Sequence, residues 1–349
     1  MEQAVSVDLV RTPVGRRHGS LSGWHSAELL AHALNGLTSR VGIDPALIDD
    51  VMVGCVTQVG AQSTNVGRTA VLAAGWPVTV PATTMDRQCG SSQQAISFAA
   101  QSIMAGVNDV VVAAGIESMS SVPMFSNAPG GDITAVYGDV ASERFADREA
   151  FGFSGLVPQG ISAEMIAARW GLGRAALDEF ALSSHVKAAD ARDSGRMSDQ
   201  ILPTAIKRRD RETGEVTIGD GELTVDECIR DTSIEALSGL SPVFIPEGVI
   251  TAGNSSQISD GAAAVLVMSA RRAADLGLRP RAIIRTMTVA GADPVEMLSA
   301  PIPATQSALS RAGLSAADIH AFEVNEAFAP VVLAWANDTK ADLDRVNVD

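Results

Sequence analysis

Cations, aromatic rings, cysteines and long apolar runs are all scarce in this chain of 349 residues, and each scarcity removes a class of function. Lysine and arginine number 26 against 41 aspartates and glutamates, a formal charge of −15. Nucleic-acid binding draws its affinity from cations that displace counterions, so a general nucleic-acid partner is not expected. The run Lys207-Arg208-Arg209 is the local exception: either a solvated loop or a basic patch for a phosphorylated cofactor. Cys55, Cys89 and Cys228 are too few for a disulfide framework and fit no zinc spacing. No metal is expected, therefore, and a reducing, cytoplasmic location is. No apolar run approaches the ~18 residues of a membrane-spanning helix, and the first residues lack the pattern of a secretory signal. A membrane partner is not expected either. With aromatics at 4% and Ala, Gly and Val abundant, the interior must be built from small side chains in closely approaching layers.

What is present is an alternation of strand-like and helix-like segments. Residues 5–10 read as a strand, 26–41 as a helix, 51–56 as a strand and 65–74 as a helix. Residues 78–84 are extended and β-branched, 93–105 are helical and stop at Gly106, and 109–115 read as a fully buried strand. Such alternation favours parallel strands with helices on both faces, in a chain long enough for about two domains. From about 120 to 247 Pro, Gly, Asp and Ser are frequent, Asn127-Ala128-Pro129-Gly130-Gly131 is loop material, and helices stand out at 162–170 and 174–194. This stretch reads as a long insertion lying over the core. Strands follow at 261–268, 282–290 and 321–324, with helices at 305–312 and 327–336. A faint internal repeat relates 33–51 to 305–321: in each, a helix ends in a Gly-apolar step, then come a short capped turn and a strand.

One residue in this pattern carries chemistry. Cys89 closes the stretch Thr84-Met85-Asp86-Arg87-Gln88-Cys89 and precedes Gly90-Ser91-Ser92 at the start of a helix. Between a strand's end and a helix's start, unpaired N–H groups and the helix dipole favour an anion. A free thiol has a pKa of about 8.5, and this setting is expected to lower it enough for a useful thiolate fraction near neutral pH. The alternative is an inert core thiol. The Gly-Ser-Ser helix opening favours the nucleophile.

Five motifs in order give the chain a family resemblance. Val10-Arg11-Thr12-Pro13-Val14-Gly15, Cys89-Gly90-Ser91-Ser92, Gly115-Ile116-Glu117-Ser118-Met119-Ser120, Thr251-Ala252-Gly253-Asn254-Ser255-Ser256 with Asp260-Gly261-Ala262-Ala263, and Asn325-Glu326-Ala327-Phe328-Ala329 resemble the motifs of the thiolases. The resemblance implies an acyltransferase of lipid degradation that moves an acyl group between coenzyme A and an enzyme cysteine, cleaving or forming 3-oxoacyl-CoA. It implies Cys89 as nucleophile, its backbone N–H in one oxyanion hole, and Asn325 holding the water of another, with Glu326 nearby. Arg230 aligns with a contact to the nucleotide of coenzyme A and Ser256 with the pantetheine channel; taken singly they read as a surface charge and a capping hydroxyl. No permanently bound cofactor is implied: coenzyme A and acyl-CoA are substrates.

The implied fold is α/β and thiolase-like, two related βαβ-type halves in a layered α/β/α/β/α arrangement with a loop domain, the second half incomplete. Its parts are 1–120 and 249–272 for the N-terminal domain, 121–248 for the loop domain over coenzyme A, and 273–349 for the C-terminal domain. A homodimer or homotetramer is implied, with strand 110–115 and the helix before it resembling the dimer region. Two departures stand out. Gln159 in Leu156-Val157-Pro158-Gln159-Gly160 replaces a His-Met or Asn-Met pair, which resembles thiolases acting on bulkier, including steroid, acyl chains. In addition, the family's Gly-His-Pro and Cys-Gly-Gly motifs come after the Asn-Glu-Ala-Phe strand, whereas this sequence ends at Arg345-Val346-Asn347-Val348-Asp349. None of His18, His25, His32, His185 and His320 stands in a matching motif. The expectation is a nucleophile without its histidine base or second cysteine, low turnover, and an unpaired sheet edge in the second half. A non-catalytic thiolase-fold protein that binds acyl-CoA or a partner is the alternative. A ketosynthase-type enzyme is disfavoured by Asn325-Glu326-Ala327-Phe328.

Overall fold

The computed structural model describes residues 2–349, which form two compact units. The first holds the chain up to Asn127, Met197–Cys228 and Ile258–Arg285; the second holds Ala128–Arg196, Ile229–Gln257 and Thr286–Asp349. The excursion read from the sequence is thus shared between them.

The first unit is a mixed sheet clothed by helices. Its strands are β1 (Ala4–Arg11), β2 (Asp50–Gly54), β3 (Ala82–Met85), β4 (Val110–Ser118), a hairpin of β5 (Thr204–Arg209) and β6 (Val216–Leu223), β7 (Ser259–Ser269) and β8 (Ala282–Ile283). Its main helices are α1 (Ser26–Val41), α2 (Val66–Ala73) and α3 (Ser91–Met104). The sheet runs β8-β1-β7-β4-β2-β3, with the two-residue strand Gly15–Arg16 also against β7. β2 is parallel to both β3 and β4, but β7 is antiparallel to β4 and β1. The all-parallel expectation therefore fails on one side. A strand arriving more than a hundred residues later inserts between β1 and β4, and the local alternation before it cannot disclose that.

Period-two alternation sorts β4 between two faces. Val110, Val112, Ala114 and Ile116 join Leu30, Leu34 and Leu37 of α1 in one core cluster. The residues between them, Val111, Ala113 and Gly115, face the other way, where α3 packs. At the head of β7, Asp260 is buried; its Oδ1 accepts from Ser120 N at 2.8 Å and Ser118 Oγ at 3.3 Å, while Oδ2 has no partner among the described residues. Burial pushes this carboxyl above its ordinary range, against the hydrogen bonds of Ser120 and Ser118 and the charge of His18. A carboxyl raised in the folded state holds its proton longer there than in the unfolded chain, so its contribution falls as pH rises through the folded value. Asp260→Asn, which keeps an acceptor for Ser120, is expected to gain stability over the parent as pH rises above about 4. Urea unfolding at rising pH checks it; a gap independent of pH contradicts it.

The second unit is helical: α4 (Gln159–Arg169), α5 (Arg174–Asp193), α6 (Pro301–Ala312) and α7 (Ala329–Thr339). α7 packs Val331 and Ala334 with Ile166 and Ile250, and Val332 and Trp335 with Ile302 and Val346. The Trp335 indole donates to Thr305 Oγ1 at 2.8 Å. Two buried acids clamp the segment 249–254: Glu164 accepts from Val249 N and Ile250 N, and Asp178 takes a hydrogen bond from Asn254 Nδ2 and pairs with Arg174.

The internal repeat is visible as far as its turns. α1 ends at Gly42 in the left-handed region and leads to a short 3₁₀ turn capped by Asp44; α6 ends at left-handed Gly313 and leads to one closed by a Ser315–Asp318 capping box. The first copy continues into β2. The second does not: over 321–324 there is only a single bridge, Phe322 to Val346. Likewise the expected strand 282–290 shrinks to β8, whose one neighbour is β1 and after which the chain leaves the first unit. β-branched sequence without a flanking strand gives no ladder.

Candidate active site

Two glycines make the seat on which the site rests. Gly54 of β2 and Gly115 of β4 are register partners, and Gly54 also pairs with Met85 of β3. A Cβ on Gly54 would overlap the backbone of Ser91 and Ser92; a Cβ on Gly115 would stand 2.7 Å from Ser92 Cβ. The first turn of α3 is thus pressed onto the sheet where neither strand carries a side chain, so Cys89, just ahead of it, is held close to the strand ends.

The loop between β3 and α3 is braced internally. Asp86 Oδ2 accepts from Gln88 Nε2 at 2.8 Å, Ser91 Oγ accepts from Arg87 N at 3.1 Å, and Gly90 N donates to the carbonyls of Arg87 and Gln88. Inside this brace Cys89 is exposed and adopts φ +60°, a left-handed conformation for a residue with a side chain. Such a conformation costs of order 1–3 kcal/mol and persists only where its surroundings impose it, typically at functional sites. Cys89→Gly is accordingly expected to be more stable than Cys89→Ala by about 1 kcal/mol. Denaturant unfolding of the pair measures this, and equal midpoints would show the backbone to be relaxed.

No side chain caps the start of α3, so its first N–H groups face the loop without a capping acceptor. The thiol nevertheless does not ionise more easily. Although the residue is exposed as a whole, crowding strips water from its sulfur, and this desolvation, with the Asp86 carboxylate, pushes its pKa up. The lowered value expected from the sequence is thereby reversed, because desolvation of the sulfur, with the charge of the motif's own acid added to it, works against the thiolate.

Cys55 differs from Cys89 in kind. It is 1% exposed, and burial, Glu117 and Asp86 push its pKa up to about 12. Glu117 is itself tied down, accepting from Val56 N, Thr57 N and Gln62 Nε2. Cys55 is expected to resist alkylation in the folded chain at about pH 8 while Cys89 reacts. Peptide mass mapping decides: faster modification of Cys55 or Cys228 contradicts the choice of Cys89.

The remaining sequence-named residues lie in the second unit. Asn325 is exposed; Glu326 beside it accepts from Ser184 Oγ and Asn347 Nδ2, each at 2.7 Å. The Asn347 carboxamide also accepts from Val324 N at 2.8 Å and donates to Val324 O at 2.9 Å, fixing the segment that presents Asn325. From the other side, Ser256 N donates to Ala327 O at 2.9 Å and Ala329 N to Asn254 O at 2.9 Å. The turn 251–256 is thereby stitched to the Asn-Glu-Ala-Phe segment. Arg230 is exposed and close enough to His185 to lower its pKa, after burial and against Glu326.

The sequence reading gave no role to Ser184 or Asn347, and it named His185 only as standing outside the family motifs. Asp86, inside the quoted nucleophile segment, was legible and unweighed. The Lys207-Arg208-Arg209 run is no loop but part of β5. Lys207 Nζ sits 3.6 Å from the Trp24 ring centroid, Arg208 donates to Ser20 Oγ and Arg209 to Gly214 O. Among the described residues no helix is long and apolar enough to cross a membrane.

Comparison with known proteins places this geometry. The thiolase N-terminal domain family matches residues 4–271 and the thiolase C-terminal domain family residues 278–349. The chain is 44% identical over 352 aligned positions to the steroid 3-ketoacyl-CoA thiolase FadA6 of Mycobacterium tuberculosis, covering 99% of this chain and 82% of that protein. It is 42% identical to a 3-ketoacyl-CoA thiolase of Saccharophagus degradans, over 99% of this chain and 84% of the relative. The crystal structure of the Bacillus anthracis acetyl-CoA acetyltransferase superposes with a TM-score of 0.84 at 35% identity, covering 100% of this chain and 86% of that one.

Proposed function

The chain belongs to the thiolase family and is an acyltransferase enzyme acting on coenzyme A esters, and from that premise we propose that Cys89 accepts the acyl group of a 3-oxoacyl-CoA. The observation that carries this is the cysteine's placement: exposed, left-handed, at the uncapped start of α3. The sulfur attacks the C3 carbonyl and an S–C bond forms. The C2–C3 bond then breaks with its electron pair on C2, which takes a proton and leaves as acetyl-CoA. The thiol of a second coenzyme A takes the acyl group from Cys89 as a shortened acyl-CoA and returns a proton to the sulfur. A soft thiolate suits exchange with a thioester. Each well-placed donor to the developing oxyanion is worth ~3 kcal/mol. The open N–H groups of α3 serve that role, with Asn325 assigned to hold a water for a second oxyanion site.

Arg230 and Ser256, both exposed, are assigned to the nucleotide and pantetheine of coenzyme A. Gln159 is half-buried at the head of α4 and supports a bulky acyl chain, as does the steroid thiolase among the relatives. Two of the first unit's imidazoles are engaged elsewhere: the His25 ring caps α1 and the His32 ring meets Pro203 O. Residues 1–349 are assigned the acyl-accepting step. Three cysteines with no disulfide among them suit a reducing, cytoplasmic setting.

Self-association is assigned to the β3 edge and the outer side of α3. β4, favoured by the sequence, lies between β7 and β2 and has no free edge. Phe98 on α3 is 40% exposed and Val78 ahead of β3 75%. Sedimentation is expected to give a dimer at micromolar concentration; a uniform monomer contradicts this. The activity test is thiolysis of a panel of 3-oxoacyl-CoA esters with added coenzyme A. Production of acetyl-CoA and the shortened acyl-CoA is expected, and product formation unchanged in Cys89→Ala contradicts the assignment.

A further inference from the structure

The segment that carries Asn325 has one bridge in place of a ladder. Phe322 N donates to Arg345 O at 2.8 Å and Asn347 N to Phe322 O at 2.9 Å. The ladder goes no further, because Asn347 takes φ +48°, off the extended backbone that a strand needs. Its side chain then serves Val324 as the main chain of a neighbouring strand would. The carboxamide oxygen accepts from Val324 N at 2.8 Å, and the nitrogen donates to Val324 O at 2.9 Å and to Glu326 Oε1 at 2.7 Å. This orientation is fixed by the partners: a carbonyl and a carboxylate only accept, so the nitrogen must face them. Asn347 is 8% exposed, which shields the three bonds from water, whereas Asn325 between the bonded residues is exposed. The arrangement is anchored on α5, where Lys187 Nζ donates to Val346 O at 3.0 Å and Ser184 Oγ to Glu326 Oε2 at 2.7 Å. No helix or strand fixes residues 323–326, so the carboxamide is what ties both sequence neighbours of Asn325.

We propose that Asn347 is a positioning residue for acyl transfer: its carboxamide, bonded to the residues on either side of Asn325, holds the Asn325 backbone in the pose that binds the oxyanion water. The proposal rests on the assignment of Asn325 to that water. A donor to developing charge is effective only if it is in place before the reaction begins. Misplacement by about 1 Å can cost ~10²-fold in rate. An exposed side chain on a segment without secondary structure reaches such precision only through its backbone.

The test is a double-mutant cycle in the full chain, read as kcat and KM of thiolysis with a 3-oxoacyl-CoA. Asn347→Gly removes the carboxamide and adopts positive φ without steric cost. It is expected to lower kcat about tenfold and to change KM less than about twofold. Asn325→Ala is expected to lower kcat ~10²-fold, and Asn347→Gly added to it to cost nothing more, since no water remains to be positioned. A further tenfold loss in the double variant marks a merely structural role and overturns the proposal. Hydrogen exchange gives a reading without turnover: the peptide 322–328 is expected to exchange at least ~10-fold faster in Asn347→Gly, with β4 unchanged. Unchanged exchange there overturns the proposal as well. Should Asn347→Gly fail to fold, Asn347→Asp keeps the acceptor for Val324 N and sets a carboxylate against Glu326. Glu326→Gln added to it restores a donor between the two and is expected to recover kcat about threefold or more; no recovery overturns the proposal. A parental rate in Asn347→Gly beside an impaired Asn325→Ala sinks the proposal alone. A parental rate in Asn325→Ala sinks the assignment of Asn325, and the proposal with it.

Discussion

Gly54→Val is expected to destabilise the first unit by more than about 3 kcal/mol and to lower the reactivity of Cys89 with it. Overpacking commonly costs 1–3 kcal/mol because side chains shift aside. At Gly54 the obstacle is the backbone of Ser91 and Ser92, which cannot turn away without moving the start of α3. Gly115→Val meets Ser92 Cβ and is expected to act in the same direction. Gly42→Ala supplies the contrast: that glycine has φ +73° with open space around it, and its replacement should cost only the ~1 kcal/mol of a left-handed backbone. Denaturant unfolding with parallel alkylation of Cys89 measures both effects. A Gly54→Val chain as stable and reactive as the parent would falsify the account of how the nucleophile loop is seated.

Cys89→Ala is expected to abolish acyl transfer, with a residual rate at least ~10³-fold below the parent. The reasoning is chemical. Each half-reaction passes through a bond to Sγ, and no other thiol can replace it: Cys55 is buried and its pKa pushed up to about 12. Cys89→Ser keeps the shape and tests softness, since a hydroxyl ionises far less readily than a thiol. It should form acyl-enzyme much more slowly while leaving the fold unchanged. Transfer at parental rates in either variant would move the nucleophile elsewhere.

Much of the first unit was legible because its signals are local. The helix at Ser26–Val41 and the buried strand at Val110–Ser118 follow from side-chain period, and α3, read as 93–105, lies at Ser91–Met104. What stayed hidden was non-local. The antiparallel insertion of β7 depends on a segment far along the chain, and strands read at 282–290 and 321–324 need neighbours that the described residues do not supply. The nucleophile was legible from its motif, but its electrostatics were not. The helix start suggested a lowered pKa, whereas desolvation and Asp86 raise it. Asn347 bonds Val324 and Glu326 from more than twenty residues away, a link no motif announces. Gly54 and Gly115 were readable only as strand-end glycines; their shared purpose emerges when register makes them partners.

The central claim, that Cys89 takes the acyl group, is tested most directly by trapping it. The full chain is incubated with an acyl-CoA, quenched in acid and digested, and the peptides are examined for a thioester-linked acyl mass. The account predicts the acyl group on the peptide carrying Cys89, removable by added coenzyme A and absent from Cys89→Ala. An acyl group on Cys228 or Cys55, or one that persists in Cys89→Ala, would contradict it.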